Sequence, residues 1–148
     1  MTLKKIFRIV RNLICAIGLI IISPFLFFAA LMIIIEDGMP VFFIQERIGK
    51  NNIIFKIIKI RTLKTDAPNT GTHQLDKKYQ LICGKFFRKI KLDEFPQLIN
   101  VLMGDINLIG PRPGLISQKE LTKFRSANGV YEIKPGITGL SQVLGYDM

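Results

Sequence analysis

The sequence has few of the side chains on which many enzymes depend. Its 148 residues include one histidine, two cysteines and only 11 acidic residues. His73 lies in the polar stretch NTGTHQLD, which is typical of a solvated loop, and histidine-based zinc or triad chemistry is therefore disfavoured. Cys15 lies in an apolar run and Cys83 in a distant basic segment, so no disulfide is expected and a reducing compartment is the simpler interpretation.

The shortage of acidic residues leaves the chain strongly basic. Against 21 Lys and Arg the formal net charge is +10, while the mean hydropathy of +0.32 is high for so charged a chain. Charge together with apolar content favours a protein on an anionic membrane surface. No zinc-finger or RNP pattern is present, and a nucleic-acid partner is not expected.

The apolar content is concentrated near the N-terminus. Leu13 to Ile35 form a run of 23 uncharged residues, which as a helix would reach ~35 Å and could cross a bilayer. Four basic residues precede the run and two acidic residues follow it, so the positive-inside rule predicts a cytoplasmic N-terminus. A signal peptide would have a shorter apolar core and a cleavage site, which is not evident here. We divide the chain into a membrane segment, 1–36, and a domain, 37–148.

Ser23 and Pro24 lie at the midpoint of this run and leave two arrangements open. Proline removes a backbone hydrogen bond and permits a sharp bend, which would give two halves of ~16 Å, each about one leaflet deep. A re-entrant hairpin of this kind would keep the domain, with all but four of the 21 basic residues, in the cytoplasm. A kinked spanning helix fits the same residues, because proline is tolerated in membrane helices.

Beyond residue 36 the patterns predict a small α+β domain. PVFFIQERIG and IIFKIIKIRT read as strands, and residues 66–77 have the composition of a loop. In the second strand Lys59 and Arg61 would project from one face as a small cationic patch. A solvated or lipid-facing edge explains the same alternation.

The segment CGKFFRKIKL predicts an amphipathic helix. Phe86, Phe87 and Ile90 share one helical face opposite several bases, which is typical of a helix in the membrane interface. Packing of the two phenylalanines on the domain core is an equally good interpretation.

The stretch KLDEFPQLIN has two interpretations. Helical spacing of apolar residues from Leu92 onwards predicts Asp93 as a helix N-cap, with Glu94 and Pro96 in the first turn, and such a cap needs no catalytic role. Alternatively, Asp93 is a nucleophile that attacks phosphorus, with Mg²⁺ between the carboxylate and its anionic substrate. Arg88 and Arg112, the latter held between two prolines, could then pair with phosphate oxygens.

Long motifs in this chain resemble a known family. GMPVFFIQERIG, FKIIKIRTLKTDA, KLDEFPQLINVLMGDINLIGPRP and KPGITGLSQV are similar to the small monotopic phosphoglycosyl transferases, a type of bacterial sugar transferase. The resemblance covers nearly the whole chain. It implies transfer of a sugar-1-phosphate from a UDP-sugar to a membrane polyprenol phosphate such as undecaprenyl phosphate, with release of UMP and a requirement for Mg²⁺.

The resemblance also implies roles for individual residues. Asp93 would be the nucleophile, lying near the metal, and would form a covalent phosphosugar intermediate. Glu94 would be its partner acid, which orients groups or handles a proton of the lipid phosphate. Lys59 and Arg112 match basic active-site positions of the family, and Arg88 is a candidate phosphate contact.

The family resemblance favours one membrane arrangement. Ser23 and Pro24 would form the bend of a re-entrant hairpin, so the enzyme would lie on the cytoplasmic face of the bacterial inner membrane. The C-terminus departs from the family pattern, because Tyr146 replaces an arginine and the chain stops at Met148, earlier than the family usually does. An inactive, membrane-anchored lipid-binding fragment is therefore the alternative expectation.

Overall fold

The domain has the mixed α/β fold that the sequence predicts, and one long apolar helix precedes it. The computed structural model describes residues 3–68 and 76–144, and both His73 and Tyr146 lie outside these ranges. Within these ranges four short 3-10 turns accompany the helices and strands. In chain order the main elements are α1 (Leu3–Asp37), β1 (Phe42–Ile48), β2 (Ile54–Ile60), α2 (Ile82–Lys89), α3 (Gln97–Met103), β3 (Asn107–Ile109), β4 (Gly114–Leu115), α4 (Lys119–Ala127), β5 (Gly136–Thr138) and α5 (Leu140–Val143).

The two predicted strands are confirmed as an antiparallel pair. A three-stranded sheet has the order β2-β1-β4, and β3 pairs in parallel with β5. In the β1–β2 register Phe43 lies opposite Lys59, and Arg47 lies opposite Phe55. Because side chains alternate along a strand, Arg47 and Lys59 project from the same face of the sheet.

Helix α1 is continuous through Ser23 and Pro24. Pro24 is exposed inside the helix, and the Ser23 hydroxyl donates to the Ile20 carbonyl at 2.8 Å. The structure therefore has one helix here rather than two separated halves, and the hairpin is not confirmed. By length and composition α1 is the one helix within the described residues that could cross a membrane.

One side of α1 packs against the domain over both of its halves. In the N-terminal half Cys15 is buried with Val101 and Ile106. In the C-terminal half Ala29 and Ile33 are buried in a second cluster, which also contains Cys83. The two cysteines are thus free thiols in separate clusters.

Polar contacts also join both ends of the apolar segment to the domain. Arg11 donates to the Asn107 side chain at 2.8 Å. At the other end the Glu36 carboxylate accepts from the backbone N–H groups of Ile82 and Cys83, at 2.6 and 3.0 Å. The ends of the segment therefore lie beside the same folded body.

Arg61 corrects the prediction of a cationic patch. It does not project beside Lys59, because its guanidinium is 5% exposed and forms an ion pair with Asp37. The same group donates to the carbonyls of Gly38 and Pro40. A buried guanidinium requires such partners, and here they tie the end of α1 to the end of β2.

Helix α2 confirms the predicted helix, but the residues of its predicted apolar face differ in burial. Phe87 is 2% exposed in the core, whereas Phe86 is 57% exposed and Ile90 is 48% exposed. Core packing therefore holds for Phe87 and not for Phe86. A position of α2 in a membrane interface is not confirmed.

Asn100 joins α3 to the edge of the sheet. Its side chain is 1% exposed and accepts from Ile58 N–H at 3.0 Å while donating to the Lys56 carbonyl at 2.8 Å. The amide thus satisfies two backbone groups of edge strand β2 as a neighbouring strand would. It also donates to Asp105 at 3.0 Å, which fixes the start of the loop that follows α3.

Replacement of Asn100 by Ala is expected to lower the free energy of unfolding by roughly 2–4 kcal/mol, because buried backbone groups would lose their partners. Thermal unfolding in detergent micelles measures this. Asn128→Ala is the matched control, since Asn128 is exposed and its side chain donates to the Phe124 carbonyl one turn earlier. Similar losses for both variants would contradict this assignment.

Candidate active site

The two adjacent acids lie in a turn between α2 and α3, which corrects the predicted helix cap. Lys91 adopts a left-handed conformation (φ 58°), Leu92–Glu94 form a 3-10 turn, and α3 begins only at Gln97. Pro96 occupies the N-cap position of α3, with no side-chain capping bond. The reversal at Lys91 stops α2 before the acids and turns them towards the sheet instead of along a new helix axis.

Asp93 is a buried carboxylate with one unpaired oxygen. The residue is 8% exposed, and its Oδ1 atom has no hydrogen-bond partner within the described residues. Burial raises the pKa of Asp93 above the ordinary aspartate value, and the charge of Glu94 adds to the increase. Lys59 and Arg88 oppose the increase without cancelling it.

Glu94 occupies a different electrostatic environment from its neighbour. Its Oε1 atom lies 2.9 Å from the Lys59 ammonium group, and both side chains are less than a fifth exposed. Burial tends to raise the pKa of Glu94, but Lys59, Arg112 and Lys91 outweigh it, so the pKa falls below the ordinary value. Glu94 therefore remains ionised to lower pH than Asp93.

Arg88 approaches Asp93 from α2. Its Nε atom donates to the Thr62 hydroxyl at 2.8 Å. Helix α2 packs so tightly here that a Cβ atom at Gly84 would lie 2.5 Å from the Thr62 carbonyl oxygen. Burial lowers the pKa of Arg88, and the charge of Asp93 partly offsets this effect.

A shallow cleft adjoins the acidic turn, which is the 3-10 turn Leu92–Glu94. It contains three of the sequence-predicted residues, Lys59, Glu94 and Arg112, while Asp93 and Arg88 are not among its lining residues. The backbone of Arg112 is fixed by Arg125, which donates to the Arg112 carbonyl at 2.9 Å. The lining consists of Arg47, Ile57, Lys59, Glu94, Gln97, Arg112, Pro113, Gly136 and Ile137.

Two polar lining residues, Arg47 and Gln97, were missed in the sequence. Strand alternation places Arg47 on the face that carries Lys59, so the register could have identified it. Gln97 is 3% exposed at the start of α3, and no feature of the sequence separates it from a surface glutamine.

The acidic groups provide few metal ligands of their own. No cluster of three or more His, Cys, Asp or Glu side chains that could hold a metal occurs in residues 3–68 and 76–144. Mg²⁺, however, is commonly held by one or two carboxylates together with substrate phosphates. The unpaired Oδ1 of Asp93 fits that kind of site.

The class of protein follows from the match between this chain and a protein family. The profile of the family described as bacterial sugar transferase matches residues 2–148. The chain therefore belongs to the bacterial sugar transferase family, whose named relatives include phosphotransferases that act on UDP-sugars and undecaprenyl phosphate.

Individual relatives are similar over most of this chain. An uncharacterized sugar transferase, EpsL, from Bacillus subtilis is 36% identical over 98% of this chain and 70% of its own length. A UDP-glucose:undecaprenyl-phosphate glucose-1-phosphate transferase from Caulobacter vibrioides is 37% identical over 83% of this chain and 48% of its own length. A UDP-N-acetylgalactosamine-undecaprenyl-phosphate N-acetylgalactosaminephosphotransferase from Aeromonas hydrophila is 35% identical over 88% of this chain and 32% of its own length. The chain thus spans between 32% and 70% of the length of these relatives.

The opposite pKa shifts of the two acids predict opposite effects on stability. Asp93 has a raised folded-state pKa, so its ionisation destabilises the fold above the unfolded-state pKa, and Asp93→Asn should raise the melting temperature at pH 7 by roughly 1–3 °C. Glu94 has a lowered pKa, so its ionised form stabilises the fold, and Glu94→Gln should lower the melting temperature at pH 7.

Thermal unfolding of the wild type and both variants at pH 7 and near pH 4 measures these effects. The gain from Asp93→Asn should shrink as the pH falls through the raised folded-state pKa and disappear below the lower, unfolded-state pKa, where Asp93 is protonated in both states. The loss from Glu94→Gln should shrink towards the lowest pH at which the protein remains folded. Shifts of the same sign for both variants at pH 7 would refute the electrostatic assignment.

Proposed function

We propose that this protein transfers a sugar-1-phosphate from a UDP-sugar to a membrane polyprenol phosphate, undecaprenyl phosphate, and releases UMP. The reaction would be the first membrane step in the assembly of a polysaccharide or another glycan. The names of the Caulobacter and Aeromonas relatives support the two substrates. The observation that carries the proposal is the buried, unpaired carboxylate oxygen of Asp93 within a cationic surrounding.

In the first step an oxygen of Asp93 attacks the phosphorus that bears the sugar. A carboxylate–phosphorus bond forms, the bridging P–O bond of the diphosphate breaks, and its electron pair leaves with UMP. An unpaired oxygen suits a nucleophile, because no protein hydrogen bond has to break before the attack. Arg88 and Lys59 would neutralise charge on the phosphoryl oxygens, since both groups interact electrostatically with Asp93.

In the second step an oxygen of the polyprenol phosphate attacks the same phosphorus and regenerates the Asp93 carboxylate. Glu94 is held ionised by Lys59, so it would orient the Lys59 ammonium group towards the phosphates during this step. Mg²⁺, when bound by Asp93 and phosphate oxygens, would supply neutralisation of the charge that builds up between the two phosphates. Arg112 would provide a further bidentate phosphate contact from the edge of the cleft.

The membrane placement belongs to the same proposal. Helix α1, which is continuous through Ser23 and Pro24 in the structure, would bend at these residues in the membrane, so that both of its ends lie on the cytoplasmic face of the inner membrane and the basic domain lies on anionic lipid. Contacts at both ends support this arrangement, because Arg11 and Glu36 bind the same domain. A spanning helix with these contacts would have to draw the domain across the membrane with it.

Substitution of Asp93 by Asn is expected to lower the rate of UMP release ~10³-fold or more, because an amide cannot form the acyl phosphate. The purified full chain is incubated with undecaprenyl phosphate, Mg²⁺ and a panel of UDP-sugars, and UMP is measured. Mass spectrometry of the wild type incubated without lipid should detect an adduct of one phosphosugar on Asp93. Asp66→Asn is the matched control, because Asp66 is an exposed aspartate outside the cleft.

Two results would decide against the enzyme. UMP release by Asp93→Asn at the wild-type rate would exclude the covalent route. Absence of UMP with every sugar, beside an active relative, would instead favour the alternative of an inactive lipid-binding protein. Loss of activity on chelation of Mg²⁺, with recovery on its return, tests the metal.

Topology gives a separate prediction. Single cysteines at Lys5 and Lys123, two exposed positions, are introduced into a Cys15→Ala, Cys83→Ala background. A membrane-impermeant maleimide should label neither cysteine in intact spheroplasts and both in inverted vesicles. Labelling of the two positions from opposite sides would contradict the re-entrant placement.

A further inference from the structure

Arg47 is a partly buried cation on the central strand of the sheet. It lies between β2 and β4, opposite Phe55 on one side and Leu115 on the other. Its Nη2 atom donates to the Gln45 side-chain oxygen at 2.7 Å and its Nη1 to the Pro113 carbonyl at 3.4 Å. The Nε atom is buried with no hydrogen-bond partner in the part of the chain that the structure describes.

The surroundings of Arg47 leave its charge without a close counter-ion. Both hydrogen-bond partners are neutral, and no described ion pair includes Arg47. Burial, together with the positive charge of Arg112, lowers the pKa of Arg47 to about 10, and the charge of Glu94 opposes this decrease only in part. A desolvated guanidinium of this kind is normally matched by an anion.

The cleft as a whole is also rich in cations. Among its described lining residues Arg47, Lys59 and Arg112 are basic and Glu94 is acidic, and Lys59 forms an ion pair with Glu94. An arginine fork with a free N–H suits an oxyanion such as a phosphate. The cleft therefore has the charge and geometry for a phosphate group that the acidic turn does not itself bind.

Arg88 and Arg47 occupy different places around the acidic turn. Arg88 interacts electrostatically with Asp93 and donates to Thr62, whereas Arg47 lines the cleft, which Asp93 does not line. In the proposed first step the phosphorus next to the sugar must reach Asp93. The second phosphate of the donor, which leaves on UMP, then lies away from Asp93.

We propose that Arg47 binds the departing phosphate of the nucleotide, so that the cleft lined by Arg47 and Arg112 is the subsite of the leaving group. The inference rests on the proposed function. As the P–O bond between the phosphates breaks, its electron pair adds negative charge to the UMP phosphate. The Arg47 guanidinium would stabilise that charge, and it has no role in the attack of the lipid phosphate on the phosphosugar adduct.

The test separates UMP binding and the two half-reactions in the purified full chain. Arg47→Gln is expected to weaken UMP binding, measured by calorimetry, by about 10- to 100-fold, the range for a hydrogen-bonded charge contact. It should slow the burst of UMP from a UDP-sugar in the absence of lipid to a similar extent. Transfer from a preformed adduct to undecaprenyl phosphate should stay within about twofold of the wild type.

Lys56→Gln is the matched control, because Lys56 is an exposed cation on β2 outside the cleft. Wild-type UMP affinity in Arg47→Gln, or an equal loss in both half-reactions, would overturn the inference. If Arg47→Gln does not fold cooperatively, Arg47→Lys takes its place, and the loss of the arginine fork should still weaken UMP binding several-fold; an unchanged affinity would overturn the inference.

The failure of the proposed function has a different signature. A wild-type protein that forms no adduct and releases no UMP from any UDP-sugar would contradict the transferase reaction. UMP binding that depends on Arg47 would then still support the phosphate subsite. An active wild type whose UMP affinity does not depend on Arg47 would contradict the subsite alone.

Discussion

The site depends above all on the docking of α3 against the edge of β2 by the buried amide of Asn100. This side chain binds Ile58 and Lys56 on the strand and Asp105 beyond the helix. Lys59 follows directly on the strand, and the acidic turn directly precedes the helix, so the 2.9 Å contact between Lys59 and Glu94 requires α3 to lie where Asn100 holds it. The loop that leads to Arg112 starts from the same junction, and one neutral amide thereby fixes three segments of the cleft.

The same docking accounts for the contrast between two adjacent carboxylates. A 3-10 turn carries both acids towards the sheet, yet the ammonium group of Lys59 reaches Glu94 and leaves an oxygen of Asp93 unpaired. Their pKa values therefore shift in opposite directions, downwards for Glu94 and upwards for Asp93. This division suits the proposed reaction, because a nucleophile gains from being poorly solvated, while Glu94, which stays ionised to lower pH, anchors the Lys59 ammonium group. The destabilisation that an uncompensated Asp93 imposes on the fold is of the kind expected at functional sites.

The sequence was informative where local periodicity determines the structure. Runs of apolar and β-branched residues predicted strands β1 and β2, alternation predicted the face of β2 that carries Lys59, and motifs singled out Asp93 and Glu94 as a pair. The predictions were wrong where contacts between residues distant in the sequence determine the local structure. Capping rules gave Asp93 the wrong local role, because nothing in the sequence marks Lys91, a residue other than glycine, as left-handed. Arg61 was expected at a surface, but it is buried in an ion pair with Asp37, which is distant in the sequence. Arg47 was missed because alternation indicates the face of β1 on which it lies but does not reveal its contact with the Pro113 carbonyl.

The end of α1 contacts the segments of the domain that carry the site residues. Glu36, at the end of α1, caps the first N–H groups of α2, and α2 in turn holds Arg88 against Thr62 beside Asp93. Asp37 fixes Arg61 at the end of β2, two residues beyond Lys59. The positions of Lys59 and Arg88, the two cations that interact with Asp93, thus both depend on contacts with the C-terminal end of α1. In the proposed reaction the second substrate carries its phosphate at the membrane surface, so the depth at which α1 lies would set the height of Asp93 above the lipid. A helix anchored to the domain at both Arg11 and Glu36 suits that task better than a tether attached at one end, because it fixes orientation as well as distance.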